Sequence, residues 1–237
     1  MKQILVLKHM SSQNPGIFRE HAKSRRIRFF EIDLHAGDAI PGLEGFDGLW
    51  VMGGSMNVWE ESEYPWLIEE KALIREAVAR NTPFLGICLG HQLLADALGG
   101  KAESAVQHEI GLFPVTPSPA GRGHPLLAEL PEPTLWVNVH RAEVTRAPVG
   151  ATVLARSEAC ANHAMQVGER AFSVQFHPEV CDHTVEEWLQ IPGIPEALHN
   201  LLGAEGVDYF QSSIAKQLAT HNSAARQLFH NWLDIVY

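Results

Sequence analysis

A chain of 237 residues, 46% hydrophobic and 19% charged, is long enough to bury a full core, as one large α/β domain or as one domain with an appendage. Its formal net charge of -10 excludes an electrostatic grip on nucleic acid or on an anionic membrane, both of which need concentrated Lys and Arg. Three cysteines (Cys88, Cys160 and Cys181) form no even disulfide framework, and no apolar run approaches the roughly 18 residues of a membrane helix, so a reducing cytoplasm is the expected compartment.

In chain order, Gln3 to Leu7 predicts a buried strand, and Asn14-Pro15-Gly16 opens a helix reaching about Lys23. Lys23 to Arg28 is a short basic cluster read as a solvated helix end and strand entry. Ile27 to Ile32 predicts the second strand, and Asp47 to Met52 a third that ends on Gly53-Gly54-Ser55. Glycines at a strand end leave backbone N–H groups uncovered, which an oxyanion site requires and an ordinary Gly-Gly turn shares. Pro65 to Arg80 carries Leu67, Ile68, Ala72, Ile74, Ala77 and Val78 at helical spacing, and delivers the chain into an apolar strand, Phe84 to Ile87.

That strand runs into Gly86-Ile87-Cys88-Leu89-Gly90 and then an amphipathic helix. A strand-to-helix elbow holds its central side chain out at the turn and needs almost no side chain two places to either side, a requirement Gly86 and Gly90 meet. A cysteine at a helix N-terminus faces unpaired N–H groups and the positive end of the macrodipole, which favour the thiolate. Cys88 is therefore the candidate nucleophile. The alternation of strand and helix to this point predicts a central, mostly parallel sheet flanked by helices, with its active site at the carboxyl ends of the strands, where Gly53-Gly54 and Cys88 both fall.

Beyond Gly100 the pattern changes to short strand-like pieces: Lys101 to Val106, Ile110 to Val115, Leu135 to Val139, Thr152 to Ala155, Ala164 to Val167 and Ala171 to Gln175. These predict a small antiparallel extension, interrupted by a short helix at Pro125 to Leu130. The last strand ends in Phe176-His177-Pro178-Glu179, where proline stops the strand and Glu179 can face back to orient the His177 imidazole. Cys88, His177 and Glu179 then supply a nucleophile, a general base and acid, and an orienting carboxylate.

Four motifs, VMGGSMNVWE (51–60), PFLGICLGHQLLADALGG (83–100), VNVHRAEV (137–144) and FSVQFHPEV (172–180), make residues 40 to 185 resemble a class I glutamine amidotransferase domain of the triad type, similar to the glutaminase of GMP synthases. The resemblance implies a flavodoxin-like fold and attack by Cys88 on glutamine or another γ-glutamyl bond to give a γ-glutamyl thioester. It further implies that His177 protonates the leaving group and then activates water, that Glu179 holds His177, and that the N–H groups of Gly54 and Leu89 form the oxyanion hole. Gly53, Gln92 and His140 would contact the substrate, Gln107-His108-Glu109 would lie in a loop beside it, and no cofactor or metal is called for. Arg141-Ala142-Glu143 departs from the glycine and aspartate common after this histidine, leaving Arg141 either to bind a second substrate carboxylate or to sit in solvent.

The expected organisation is residues 1–185 as the amidotransferase-like domain and 186–237 as a helical C-terminal extension packed on it. In the extension Val207, Phe210, Ile214, Leu218, Leu228, Trp232 and Ile235 recur every three or four positions, so one face is set to pack on the body or on another subunit. A small-molecule substrate, a synthetase partner chain and self-association are all compatible with this reading. His177, Cys181 and His183 lie close in sequence, but zinc there would sequester the base and lacks a fourth ligand. Cys160 reads as a buried or strand-end thiol.

Overall fold

A computed structural model describes residues 1–237. Its strands are β1 (Lys2–Lys8), β2 (Ile27–Asp33), β3 (Gly48–Val51), β4 (Phe84–Ile87), β5 (Lys101–Pro117), β6 (Thr134–Arg146), β7 (Thr152–Arg156), β8 (Ala164–Val167) and β9 (Ala171–Val174). The helices are α1 (Phe18–Ser24), α2 (Trp66–Ala79), α3 (Leu89–Ala97), α4 (Thr184–Trp188), α5 (Ile194–Leu202) and α6 (Gly206–Val236), with single 3-10 turns at Leu34–Ala36 and Pro125–Leu127.

All nine strands join one mixed sheet in the order β2-β1-β3-β4-β9-β8-β7-β5-β6. Pairings from β2 to β9 are parallel, and those from β9 to β6 are antiparallel. The antiparallel part thus contributes as many pairings as the parallel part. Two of the expected short pieces are one strand: β5 runs unbroken past Gln107-His108, absorbing the polar residues as a bulge between Ser104 and Glu109 against β6. The VNVHRAEV motif likewise lies inside β6, which continues to Arg146.

Side-chain alternation assigns the two faces. Ile4 and Val6 of β1, Leu85 and Ile87 of β4, and Phe172 and Val174 of β9 share an apolar layer with Phe18 of α1 and Phe229 and Trp232 of α6. Leu5, Leu7, Leu49 and Val51 face the other way, onto Leu67 and Ile74 of α2 and Leu93 and Leu94 of α3. The 31-residue α6 spans two layers. Phe210 and Ile214 near its start pack with Val137, Val180, Trp188 and Leu198, while its last turns cover the parallel strands. The Trp232 indole donates to the Phe84 carbonyl at 3.2 Å and the Tyr237 hydroxyl to the Asp47 carbonyl at 3.0 Å, tying the chain's end to β4 and to the loop before β3.

Candidate active site

Cys88 sits between β4 and α3 with φ +52° and ψ -102°, a backbone conformation that costs a non-glycine residue of order 1–3 kcal/mol and persists only where the surroundings enforce it. They do so by close approach. A Cβ on Gly86 would lie 2.5 Å from the Gly90 carbonyl oxygen, and one on Gly90 would lie 2.0 Å from that of Val51. Strand β4 registers with β9 so that Ile87 faces Val174, and the Cys88 N–H donates to the Val174 carbonyl at 2.9 Å. Cys88 is consequently held at the same sheet rim from which the chain continues to His177.

Three polar groups of His177 are fixed. Its N–H donates to the Val137 carbonyl at 2.8 Å, its carbonyl lies 3.1 Å from Nε2 of His221 on α6, and its Nδ1 lies 2.7 Å from Glu179 Oε1. The ring meets Trp188 edge-on at 4.7 Å. With Nδ1 committed to the carboxylate, Nε2 is the nitrogen left for the sulfur. Burial works against charge on this ring, but the Glu179 carboxylate and the Cys88 side chain across the cavity outweigh it and push the pKa up to about 10, while Cys88 Sγ itself lies 3.9 Å from the Val139 carbonyl oxygen. At neutral pH the imidazole therefore holds its proton beside the thiol. Glu179 is itself anchored: its carbonyl accepts from the Ile17 N–H at 3.0 Å, and a Cβ on Gly16 would lie 1.9 Å from that oxygen.

Cys88 and His177 open on one cavity of about 330 Å³, which Gly54, Gln92, His140 and Arg141 also line. The Gly54 N–H donates to no other group of the protein, and the N–H of Leu89, first residue of α3, has no intrahelical acceptor. Gly53 lies behind the cavity lining against Gln13 and His177, since a Cβ there would meet the Gln13 side-chain amide and come 3.1 Å from His177 Cε1. Gln92 is buried and spends its amide N–H groups on the Ala142 carbonyl at 3.0 Å and Gln175 Oε1 at 3.2 Å. Arg141 is exposed at the rim. Trp188, Ile191 and Ile194 form an apolar wall from the C-terminal region, and no periodicity in that stretch of residues signals it.

Glu109, expected in a polar turn, is instead buried where the β5 bulge ends and pairing with β6 resumes opposite His140; its Oε2 accepts from Nε2 of His140 and of His163, each at 3.0 Å. Burial raises its pKa, but these two hydrogen bonds win and hold the carboxyl well below the usual range. Two imidazoles and a carboxylate are also a zinc donor set. A metal-bound imidazole passes its other N–H to an acceptor, however, and here both Nδ1 atoms are buried without a partner. Two imidazole Nε2–H groups donating to one carboxylate is the arrangement that fits. His163 and His221 are displaced toward the neutral form, chiefly by burial.

Cys181 and His183 meet on the surface, Sγ to Nε2 at 3.6 Å, while Cys160 is buried and its thiol pKa is pushed up chiefly by burial. No helix is long and apolar enough to cross a membrane.

A cysteine at a strained elbow, a histidine–glutamate pair and unpartnered N–H groups thus stand together at one rim of a mixed α/β sheet. The family described as "Glutamine amidotransferase class-I" matches residues 15–189, and the chain belongs to it. Among its relatives is a glutamine amidotransferase-like protein, YfeJ, of Salmonella typhimurium, 31% identical over 230 residues that cover 95% of this chain and 93% of that one. A glutamine-hydrolyzing GMP synthase subunit of Halobacterium salinarum is 34% identical over 190 residues, 78% of this chain and 93% of that one. Against the full-length GMP synthase of Bacillus subtilis the match, 35% identical, spans 76% of this chain and 33% of the enzyme. A glutamine amidotransferase structure from Methylobacillus flagellatus superposes with a TM-score of 0.86 at 28% identity, covering 99% of this chain and 95% of that one. One from Thermotoga maritima gives 0.84 at 25%, covering 98% of both.

Proposed function

We propose that this protein hydrolyses or transfers a γ-glutamyl amide bond, in glutamine or a small γ-glutamyl compound, through a thioester on Cys88. One observation carries the reading: the thiol at the elbow and the His177 imidazole face the same cavity, with Glu179 2.7 Å behind the ring on Nδ1. In this scheme the thiolate attacks the amide carbonyl and the oxyanion forms opposite the N–H groups of Gly54 and Leu89. Nε2–H of His177 protonates the departing ammonia or amine. The now neutral imidazole takes a proton from water as that water attacks the thioester; the C–S bond breaks, releasing free glutamate and restoring the thiolate and imidazolium, while Glu179 keeps the ring's orientation through both steps. Gly53, Gln92 and His140 shape the substrate's seat, and Arg141 at the rim is placed to meet a second carboxylate of a γ-glutamyl peptide.

A second reading, a glutaminase that delivers ammonia to a separate synthetase chain, draws support from the similarity to the GMP synthase subunit of Halobacterium salinarum. Release of ammonia or amine from glutamine and a panel of γ-glutamyl peptides, measured on the purified protein alone, separates the two. Turnover without a partner that disappears in Cys88→Ala supports the first. Turnover that arises only on adding a synthetase chain supports the second.

A further inference from the structure

Beneath the Gly53-Gly54 turn, on the side away from the cavity, lies a buried polar pair that the triad chemistry does not use. His9, one residue past β1, is 1% exposed, and Glu70 of α2 is 0% exposed. Nδ1 of His9 is 2.9 Å from the Gly53 carbonyl oxygen, Nε2 is 2.9 Å from Glu70 Oε1, and the ring stacks on Trp66 at 5.4 Å. A carbonyl oxygen only accepts. Nδ1 therefore carries a hydrogen whichever partner holds the proton between Nε2 and Glu70, and the tautomer at Gly53 is settled by geometry. Burial opposes charge on this ring, but Glu70 and the Gly53 carbonyl outweigh it and displace His9 toward the protonated form.

The consequence passes through one peptide plane. The Gly53–Gly54 bond is trans, so the carbonyl of Gly53 and the N–H of Gly54 point in opposite directions. Fixing the carbonyl on His9 directs the N–H away from His9. That N–H has no partner in the protein, and Gly54 lines the cavity that Cys88 enters. The fit around Gly54 leaves little room: a Cβ there would lie 2.7 Å from Leu89 Cδ2 and Met56 Sδ and 2.8 Å from His9 Cβ. Two glycines in sequence are otherwise free to turn the peptide over, which would swing the N–H away from the sulfur and present a carbonyl to a developing negative charge.

We propose that His9, held by Glu70, is a positioning residue that locks the Gly53–Gly54 peptide with its N–H toward Cys88, so that the oxyanion donor stands formed before substrate binds. The inference rests on the reading of Gly54 as an oxyanion donor. It adds that the donor's orientation is imposed from behind by a side chain that never touches substrate. Glu70 fixes the ring through Nε2, and Trp66 fixes its plane.

The test uses the purified full chain with L-glutamine and γ-glutamyl-p-nitroanilide, and separately with iodoacetamide. Iodoacetamide alkylates Cys88 by displacement at carbon and forms no oxyanion, so it reports the thiolate alone. The double variant His9→Phe/Glu70→Leu removes both polar partners and strands no buried carboxylate. Its expected kcat is lower by about 10²–10³-fold, the effect of losing one oxyanion donor, with KM and the Cys88 alkylation rate within about threefold of wild type. Glu70→Gln keeps a partner on Nε2 and hence the Nδ1–H on Gly53, and its kcat falls less than tenfold. Wild-type kcat in the double variant overturns the inference. So does a parallel loss of alkylation, which makes the pair structural, or a fall in Glu70→Gln as deep as in the double variant. If instead Cys88→Ala turns over as wild type does, or wild type acts on neither compound, it is the proposed function that fails.

Discussion

In the parallel half of the sheet the candidate functional groups follow strand ends, whereas in the antiparallel half they sit inside or beside long paired strands. Gly53-Gly54 comes just after β3, Cys88 immediately after β4 and His177 three residues after β9. Each is a junction where the ladder stops and N–H groups or side chains turn to the rim. Glu109 and His140 project from within β5 and β6, and His163 stands just before β8. There the polar groups pair with one another, at 3.0 Å, within a closed network. The difference separates two arrangements: after the parallel strands Gly54, Cys88 and His177 face the cavity, whereas in the antiparallel half Glu109, His140 and His163 are hydrogen-bonded to one another.

That contrast can be broken at several points. Cys88→Ala, at the junction, is expected to lower turnover of any γ-glutamyl substrate by at least about 10⁴-fold while leaving the fold intact; ammonia release and a thermal melt check both. Glu179→Gln removes the leading influence that keeps the His177 proton against burial. We expect kcat to drop by about 10³-fold. The alkaline limb of kcat/KM, set near 10 by the loss of the imidazolium proton as pH rises, should move toward neutrality. An unmoved limb would mean that another group sets it.

Gly90→Ala tests the elbow's sterics. With Val51's carbonyl 2.0 Å from the new Cβ, backbone must shift, at a cost of about 3 kcal/mol or loss of folding, read by denaturant titration. In the antiparallel half, Glu109→Gln weakens two charge-assisted hydrogen bonds, with an expected loss of about 1–3 kcal/mol and a raised KM. The sign with pH follows from the depressed pKa: the stability Glu109 adds is present above the ordinary value of 4.5 and is lost as pH falls through its lower folded value. The variant's stability should therefore depend less steeply on acid pH. The smallest effect is expected of His221→Phe on α6, which removes the donor on the His177 carbonyl, at about 1 kcal/mol and less than a tenfold change in kcat. An unchanged melting temperature would show that α6 does not brace the site through that bond.

The junction residues are legible because the constraint is local. Gly86 and Gly90 flank Cys88 at a fixed spacing whatever the rest of the chain does; the strand before His177, expected to run up to the proline, instead stops at Val174. Phe84 to Ile87 matches its expected bounds for the same local reason, as an apolar run between turn residues, and Ala164 to Val167 does so with one polar residue, Gln166, in it. The C-terminal periodicity also holds in part, with Phe210, Ile214, Leu228 and Trp232 buried as expected. Lys101 to Val115 reads as two strands but is one, since a bulge that keeps the backbone extended looks, residue by residue, like a polar turn.

The residues alone determined a mixed α/β chain whose strand ends carry a cysteine, a histidine and a glycine pair, because backbone sterics and side-chain period act over a few positions. Only the tertiary structure decided that Glu109 is buried under two imidazoles, that Trp188 and His221 brace His177, and that His9 and Glu70 lie behind Gly53. Those contacts join positions far apart in the chain, and a polar side chain reads the same in sequence whether it meets water or a buried partner. Its role depends on which strands become neighbours, and that is set by packing of the whole sheet.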